Sequence, residues 1–168
     1  MSKRLDRINF EWKKCKKSVI LGTIGASAGP VSKNELSYWE AIISGPNGTP
    51  YEGGLFILTI EFKNDYPENP PKIYVKPVKD NGKNIIPIFH PNIDQNDGEI
   101  CLSILKGDWK EDCTIENCIT SIINMLSDYD NDEAASNGWD QEPRRLYSKD
   151  KNLFIEKAKE YTKKYGDI

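Results

Sequence analysis

Apolar residues in the first stretch of the chain recur every three or four positions. Leu5, Ile8, Trp12 and Cys15 fall on one stripe, with lysines and arginines opposite, so residues 3–17 read as an amphipathic helix. Val19 to Gly25 is β-branched and apolar and reads as a strand, whereas Ser27 to Asn34 carries Ala, Gly, Pro, Ser and Asn and reads as a loop. Ser37 to Ser44 alternates, with Trp39, Ala41 and Ile43 on one face. The turn-rich run Gly45-Pro46-Asn47-Gly48-Thr49-Pro50 follows. Leu55 to Lys63 alternates most cleanly, with Phe56, Leu58, Ile60 and Phe62 sharing a face, and Lys72 to Lys76 reads as a fourth strand. Residues 77–113 show little periodicity. Thr114 can then cap a helix whose apolar stripe is Cys118, Ile119, Ile122, Ile123 and Leu126. Residues 128–142 are acidic and irregular. A last helix is expected from about Lys149 to Tyr165, with Phe154, Ala158, Tyr161 and Tyr165 inward.

A helix, four strands joined by short connections, an irregular region and then helices make an α+β domain built on an antiparallel meander. The 168 residues suit a single domain over 1–168, with no repeat or linker visible. At this size a core forms without a disulfide or metal staple. Lys and Arg number 23 and Asp and Glu 26, a net charge of −3, which disfavours a nucleic-acid binder. No run reaches the ~18 apolar residues of a membrane span, so no membrane partner is expected. The first residues lack the apolar core of a signal peptide. The expected setting is therefore intracellular, cytoplasmic or nuclear, where thiols stay reduced.

The chain has four cysteines and one histidine. Cys15, Cys101, Cys113 and Cys118 form no Cys-x-x-Cys pair and only His90 could join them, so no metal site is expected. The acidic runs also lack the glycine and glutamate that a calcium loop requires. The irregular region draws attention instead, because a long structureless stretch inside a domain is more often functional than idle. It holds Phe89-His90-Pro91-Asn92-Ile93, a polar turn, and then Glu99-Ile100-Cys101-Leu102-Ser103. A cysteine beside polar groups in such a loop can act as a thiolate nucleophile. From the residues alone, the stronger reading of Cys101 is a small buried hydrophobe among aliphatics.

Several motifs occur in order. They are Pro46-Asn47-Gly48-Thr49-Pro50-Tyr51-Glu52-Gly53-Gly54, Asp65-Tyr66-Pro67 with Pro70-Pro71-Lys72, His90-Pro91-Asn92, and Gly98-Glu99-Ile100-Cys101-Leu102 with Trp109. Each is weak alone, but together they strongly resemble the ubiquitin-conjugating enzyme family, from about residue 3 to residue 166. The resemblance implies a carrier enzyme without a cofactor. An activating enzyme, using ATP, would pass ubiquitin or a ubiquitin-like protein to Cys101 as a thioester. Cys101 would then yield it to a lysine of a protein substrate or to a cysteine of a ligase. Asn92 would hold the active-site loop or donate to a developing oxyanion, two roles that the sequence does not separate. His90, Pro91 and Ser103 would support the loop. Asp132 and Glu133 stand where relatives often carry an acid that positions the incoming lysine; the bland reading is a solvated acidic loop. The basic face of the first helix, Lys3, Arg4, Arg7, Lys13 and Lys14, would help dock the activating enzyme, with Lys3, Arg4 and Arg7 as the docking residues, or simply form a solvated face. Trp109 is expected to pack beneath the loop after the cysteine.

The chain departs from the resemblance in places. Many relatives place an aromatic after Asp-Tyr-Pro and Ser-Pro-Ala after the tryptophan; here Glu68 and Lys110-Glu111-Asp112 stand there. Glu68, Glu111 and Asp112 would make the usual ligase-docking surface acidic. Ser103 stands where many ubiquitin-type relatives have Asp, and Cys101-Leu102-Ser103-Ile104-Leu105 also resembles the SUMO-conjugating branch. The longer Trp12–Trp39 segment leans the same way, whereas the turn and the last helix look ubiquitin-type. A non-catalytic variant of the fold is a further alternative, although such variants usually lack the cysteine.

Overall fold

The computed structural model describes residues 2–168. Helix α1 (Lys3–Lys16) begins where Ser2 Oγ accepts the Leu5 amide at 3.1 Å. Ile8 and Cys15 are buried as the stripe requires, and so is Glu11, which no apolar pattern signals. The next segment departs from its sequence reading. Val19–Thr23 is a short helix, α2, because Ser18 Oγ accepts the Leu21 amide at 2.9 Å and closes a helical turn. A local cap thus overrides the β-propensity of Val19 and Ile20, which stay exposed while Leu21 is buried. The first strand lies one segment later, at Ala26–Ser32 (β1), where a loop was expected. It is the edge strand, where Pro30 removes no needed ladder bond, and its register shifts between Pro30 and Ser32.

The sheet runs β1, β2 (Glu35–Ser44), β3 (Leu55–Glu61), β4 (Lys72–Val75), all neighbours antiparallel, as the meander reading requires. Ala28 faces Ala41, Ala41 faces Leu58, and Ile60 faces Ile73. The alternating inward residues Trp39, Ala41, Ile43, Phe56, Leu58, Ile60 and Val75 are buried. They share one core with Cys118, Ile119, Ile122, Ile123 and Leu126 of α3 (Ile115–Ser127). Thr114 caps α3 as read, in a reciprocal box with Asn117.

Two parts of the chain hold more structure than their sequence periodicity shows. Val78–Asp80 (β5) and Lys83–Ile85 (β6) form a hairpin around Asn81 and Gly82, both at positive φ. Asp80 accepts from Tyr165 Oη at 2.8 Å, which fastens the hairpin to the last helix. Within the acidic stretch, Asp132–Ser136 forms a short helix, α4, capped by Asn131 Oδ1 on the Ala134 amide at 2.9 Å. The expected last helix is α6 (Lys151–Tyr165), and a separate helix that the sequence reading did not include, α5 (Glu142–Lys149), precedes it. Asp150 breaks the run, because it leaves helical geometry and caps α6 by accepting the Leu153 amide. Phe154 and Ala158 are buried as expected, Tyr161 and Tyr165 only partly, and Thr162 joins the buried side.

Candidate active site

The segment Ile86–Ile93 is buried throughout and carries the His-Pro-Asn run inside the domain. Tyr51, from the turn-rich β2–β3 connection, donates its hydroxyl to the Phe89 carbonyl at 2.9 Å and anchors that segment from below. The polar turn after Asn92 folds back so that the Cys101 amide donates to the Asn92 carbonyl at 2.9 Å. Gly98 makes this return possible. Its φ is +83°, and a Cβ there would lie 2.2 Å from the Val75 carbonyl oxygen. Gln95 and Gln141, neither singled out from sequence, hold the turn. Gln95 Nε2 donates to the carbonyls of Ile88 and Ile93, and Gln141 Oε1 accepts the Gln95 amide at 2.8 Å. Only the buried, irregular backbone around them gives these amides their task, so no periodicity could mark them.

His90, Pro91 and Asn92 are all buried. His90 Nδ1 accepts the Asn92 amide at 3.0 Å, so the neutral ring carries its proton on Nε2. Burial pushes its pKa down to about 4, with a backbone contact at Met125 pulling weakly the other way. His90 is thus a neutral brace. The Pro91 carbonyl accepts the Trp139 amide at 3.2 Å, and Gly138 packs directly on that carbonyl. Asn92 Nδ2 donates to the Ala134 carbonyl at 2.8 Å, while its Oδ1 is buried without a partner among the described residues. Asn92 therefore ties the cysteine loop to α4.

Cys101 is partly exposed, as is Cys113, whereas Cys15 and Cys118 are buried and burial pushes both thiols up to about 12. Two grooves flank the Cys101 segment. One, of about 290 Å³, lies between His90–Asn92 and Met125, Tyr129 and Ala134. The other, of about 310 Å³, is lined by Lys72, Tyr74, Glu99, Leu105 and Lys106. Ser103 is exposed and opens a single 3-10 turn, with its carbonyl accepting from the Lys106 and Asp108 amides.

The structure separates the two acids of α4. Asp132 accepts Tyr147 Oη at 2.7 Å and Lys151 Nζ at 3.3 Å, and these partners, Tyr147 first, hold its carboxyl below the usual range. Glu133 is exposed and its carboxylate has no hydrogen bond or ion pair among the described residues. Asp94, Asp97 and Glu99 bring carboxylate oxygens within 4.8 Å of one another. Asp94 and Asp97 each accept the amide two residues on, which shapes the turn.

The proposed docking residues are placed as follows. Arg4 donates to the carbonyls of Phe62 and Lys63, and Lys3 pairs with Glu111. Arg7 donates to Glu11 and to the carbonyls of Glu111 and Cys113. Glu11 Oε2 in turn accepts the Ile115 amide at the start of α3. Both arginines thus fasten α1 to its neighbours. Trp109 donates Nε1–H to the Pro67 carbonyl at 2.9 Å, which ties the loop that carries Glu111 and Asp112 to the segment before Glu68. Glu68, Glu111 and Asp112 are exposed.

The family model described as ubiquitin-conjugating enzyme matches residues 7–162. The chain belongs to the ubiquitin-conjugating enzyme family. Among solved structures it is similar to the E2 domain of a Toxoplasma gondii ubiquitin conjugating enzyme, at 33% identity and a TM-score of 0.80, covering 98% of this chain and 100% of that one. It is also similar to a candidate ubiquitin conjugating enzyme from Plasmodium yoelii, at 34% identity and a TM-score of 0.82, covering 100% of this chain and 98% of that one. Membership in this family gives the chain its α+β E2 fold and, as expected partners, ubiquitin-like proteins, activating enzymes and ligases. No helix is long and apolar enough to cross a membrane among the described residues.

Proposed function

We propose that the chain is a ubiquitin-conjugating enzyme of the cytoplasm or nucleus that carries its modifier as a thioester on Cys101. The observation that carries this reading is a partly exposed thiol whose own amide is bonded to the buried His-Pro-Asn run, in a chain of this family. In the first step the Cys101 thiolate attacks the modifier's C-terminal thioester on the activating enzyme. A new C–S bond forms and the activating enzyme's thiolate leaves. In the second step a substrate lysine attacks the carbonyl, a C–N bond forms, and Cys101 leaves as thiolate. The amine must lose a proton, and Glu133, whose carboxylate has no partner among the described residues, is the acceptor that this reading assigns; Asp132 shapes α4. A ligase cysteine can replace the lysine. The chain itself needs no cofactor, because ATP is consumed by the activating enzyme.

Ubiquitin is the modifier we favour, since the two solved relatives are named for it. The SUMO-like Cys101–Leu105 run keeps a second modifier worth testing. The test is a non-reducing gel after incubation with activating enzyme, ATP and either ubiquitin or SUMO. A reductant-sensitive adduct with ubiquitin, lost in Cys101→Ala, is expected. No adduct with either modifier would assign a non-catalytic binding role.

A further inference from the structure

We propose that the face formed by the C-terminal half of α1 and the start of α2 docks on an anionic membrane surface. Three apolar side chains stand out into solvent there: Phe10 is 54% exposed, Val19 80% and Ile20 51%. Lys13, Lys14 and Lys17 line the same shallow groove between the two helices. Lys16 stands beside them, over the Trp12 ring at 4.8 Å. None of these four lysines has a carboxylate partner among the described residues, although the chain as a whole carries a charge of −3. Three acids lie near the face: Glu116 lines the groove and accepts Ser18 Oγ at 2.5 Å, Glu11 is buried against Arg7, and Asp6 is exposed in the first turn of α1. Four lysines against Asp6 and Glu116 leave the face positive on balance around an apolar tip.

Side-chain type selects the occupant. Arginine, whose planar fork recognises carboxylates, is enriched in protein interfaces, and lysine is depleted there. On α1 the sorting runs the other way: Arg4 and Arg7 are bonded into the domain, while Lys13, Lys16 and Lys17 face solvent and Lys14 is half-exposed. Mobile point charges around protruding apolar groups suit a diffuse anionic interface, where the apolar tips enter the headgroup boundary and the lysines stay at its surface. The expectation of no membrane partner rests on the lack of a spanning run, a criterion that a surface contact of this kind does not meet. No spanning helix is needed for such a contact.

The experiment is cosedimentation of the whole, uncharged chain with vesicles of phosphatidylcholine alone or mixed with phosphatidylserine, so its outcome is independent of Cys101 chemistry. Binding to the mixed vesicles only is expected, and it should collapse as salt rises from about 0.1 M to about 1 M. Each of Lys13→Gln and Lys17→Gln should lower partitioning about fivefold. The exposed triple change Phe10→Ser, Val19→Ser, Ile20→Ser should abolish it while leaving the melting profile unchanged. Equal binding to both vesicle types, no binding, or binding to polyglutamate without binding to vesicles would overturn the proposal, the last in favour of an acidic protein partner.

Discussion

Asn92 Nδ2 donates to the carbonyl of Ala134 at 2.8 Å, and this bond joins the His-Pro-Asn run to the helix that carries Asp132 and Glu133. The carbonyl also accepts the Asn137 amide, so removing the side chain does not orphan it. Asn92→Ala should therefore cost only about 1 kcal/mol of stability. It should slow discharge to free lysine by up to about a hundredfold, because α4 loses its anchor to the cysteine loop and small misplacements at a reacting centre are costly. Charging by the activating enzyme should change much less. Asn92→Asp sets an acceptor against an acceptor and should be less stable than Asn92→Ala. Single-turnover charging and discharge, with chemical denaturation alongside, read all three. Equal loss of charging and discharge would show that Asn92 supports the loop as a whole and has no special bearing on lysine attack.

The two acids of α4 should behave differently. Glu133→Gln should slow lysine discharge about tenfold or more, since a positioned proton acceptor contributes at least that much. Asp132→Asn should leave discharge nearly unchanged, because its carboxylate is held by Tyr147 and Lys151. Single-turnover discharge of the two variants at one pH separates them. A larger effect from Asp132→Asn would reverse the assignment.

How far the sequence exposes this arrangement depends on the scale of the signal. Alternation along Phe56, Leu58 and Ile60 and the helical spacing of Cys118, Ile119 and Ile122 reach the core directly, because burial imposes a period that residues can show. The Val19–Gly25 segment misleads: its β-branched residues are exposed in a turn that a single serine closes. Pro30 and Gly29 likewise hide an edge strand, since an edge tolerates what a central strand rejects. In the site, ordered motifs mark His90, Asn92 and Cys101. The division between Asp132 and Glu133, and the inward roles of Arg4 and Arg7, arise from contacts with residues far along the chain, which no local pattern records.

His90 gives the fold a predictable response to acid. In the unfolded chain its pKa is near 6.5, and burial lowers it to about 4. Between these values the unfolded state binds a proton that the folded state does not, so stability is full above pH 6.5 and declines as pH falls towards 4. The loss across that window should reach about 3 kcal/mol. It is the chain's single histidine, so His90→Asn should flatten the window while lowering stability at neutral pH. Urea denaturation at a series of pH values measures it, and an unchanged slope in the variant would rule His90 out as the source.

Thiol accessibility offers an independent check of the site. Cys101 and Cys113 are partly exposed, while Cys15 and Cys118 are buried with pKa values pushed up to about 12. Iodoacetamide applied to the folded protein should label Cys101 and Cys113 and spare the other two until denaturant is added. Peptide mass mapping reads the order directly. Rapid labelling of Cys118 in native buffer would contradict the packing of α3.

The last prediction concerns the surface that Trp109 assembles. Its Nε1–H on the Pro67 carbonyl ties the loop bearing Glu111 and Asp112 to the segment before Glu68. Glu111 already pairs with Lys3, so Glu68 and Asp112 are the carboxylates here without a counter-charge among the described residues. A ligase that buries an aliphatic docking surface would have to desolvate them without a partner, at a cost of about several kcal/mol. A ligase offering lysine or arginine would instead be steered on by charge, and its binding would weaken with salt. The expected behaviour is efficient charging with little stimulation of discharge by a generic RING domain. Glu68→Phe combined with Asp112→Ala should raise that stimulation about tenfold or more, as removal of one unpaired buried charge allows. A discharge assay across a panel of RING domains decides the matter: strong stimulation of the unmodified protein by a domain without basic docking residues would show that the acids lie outside the ligase contact.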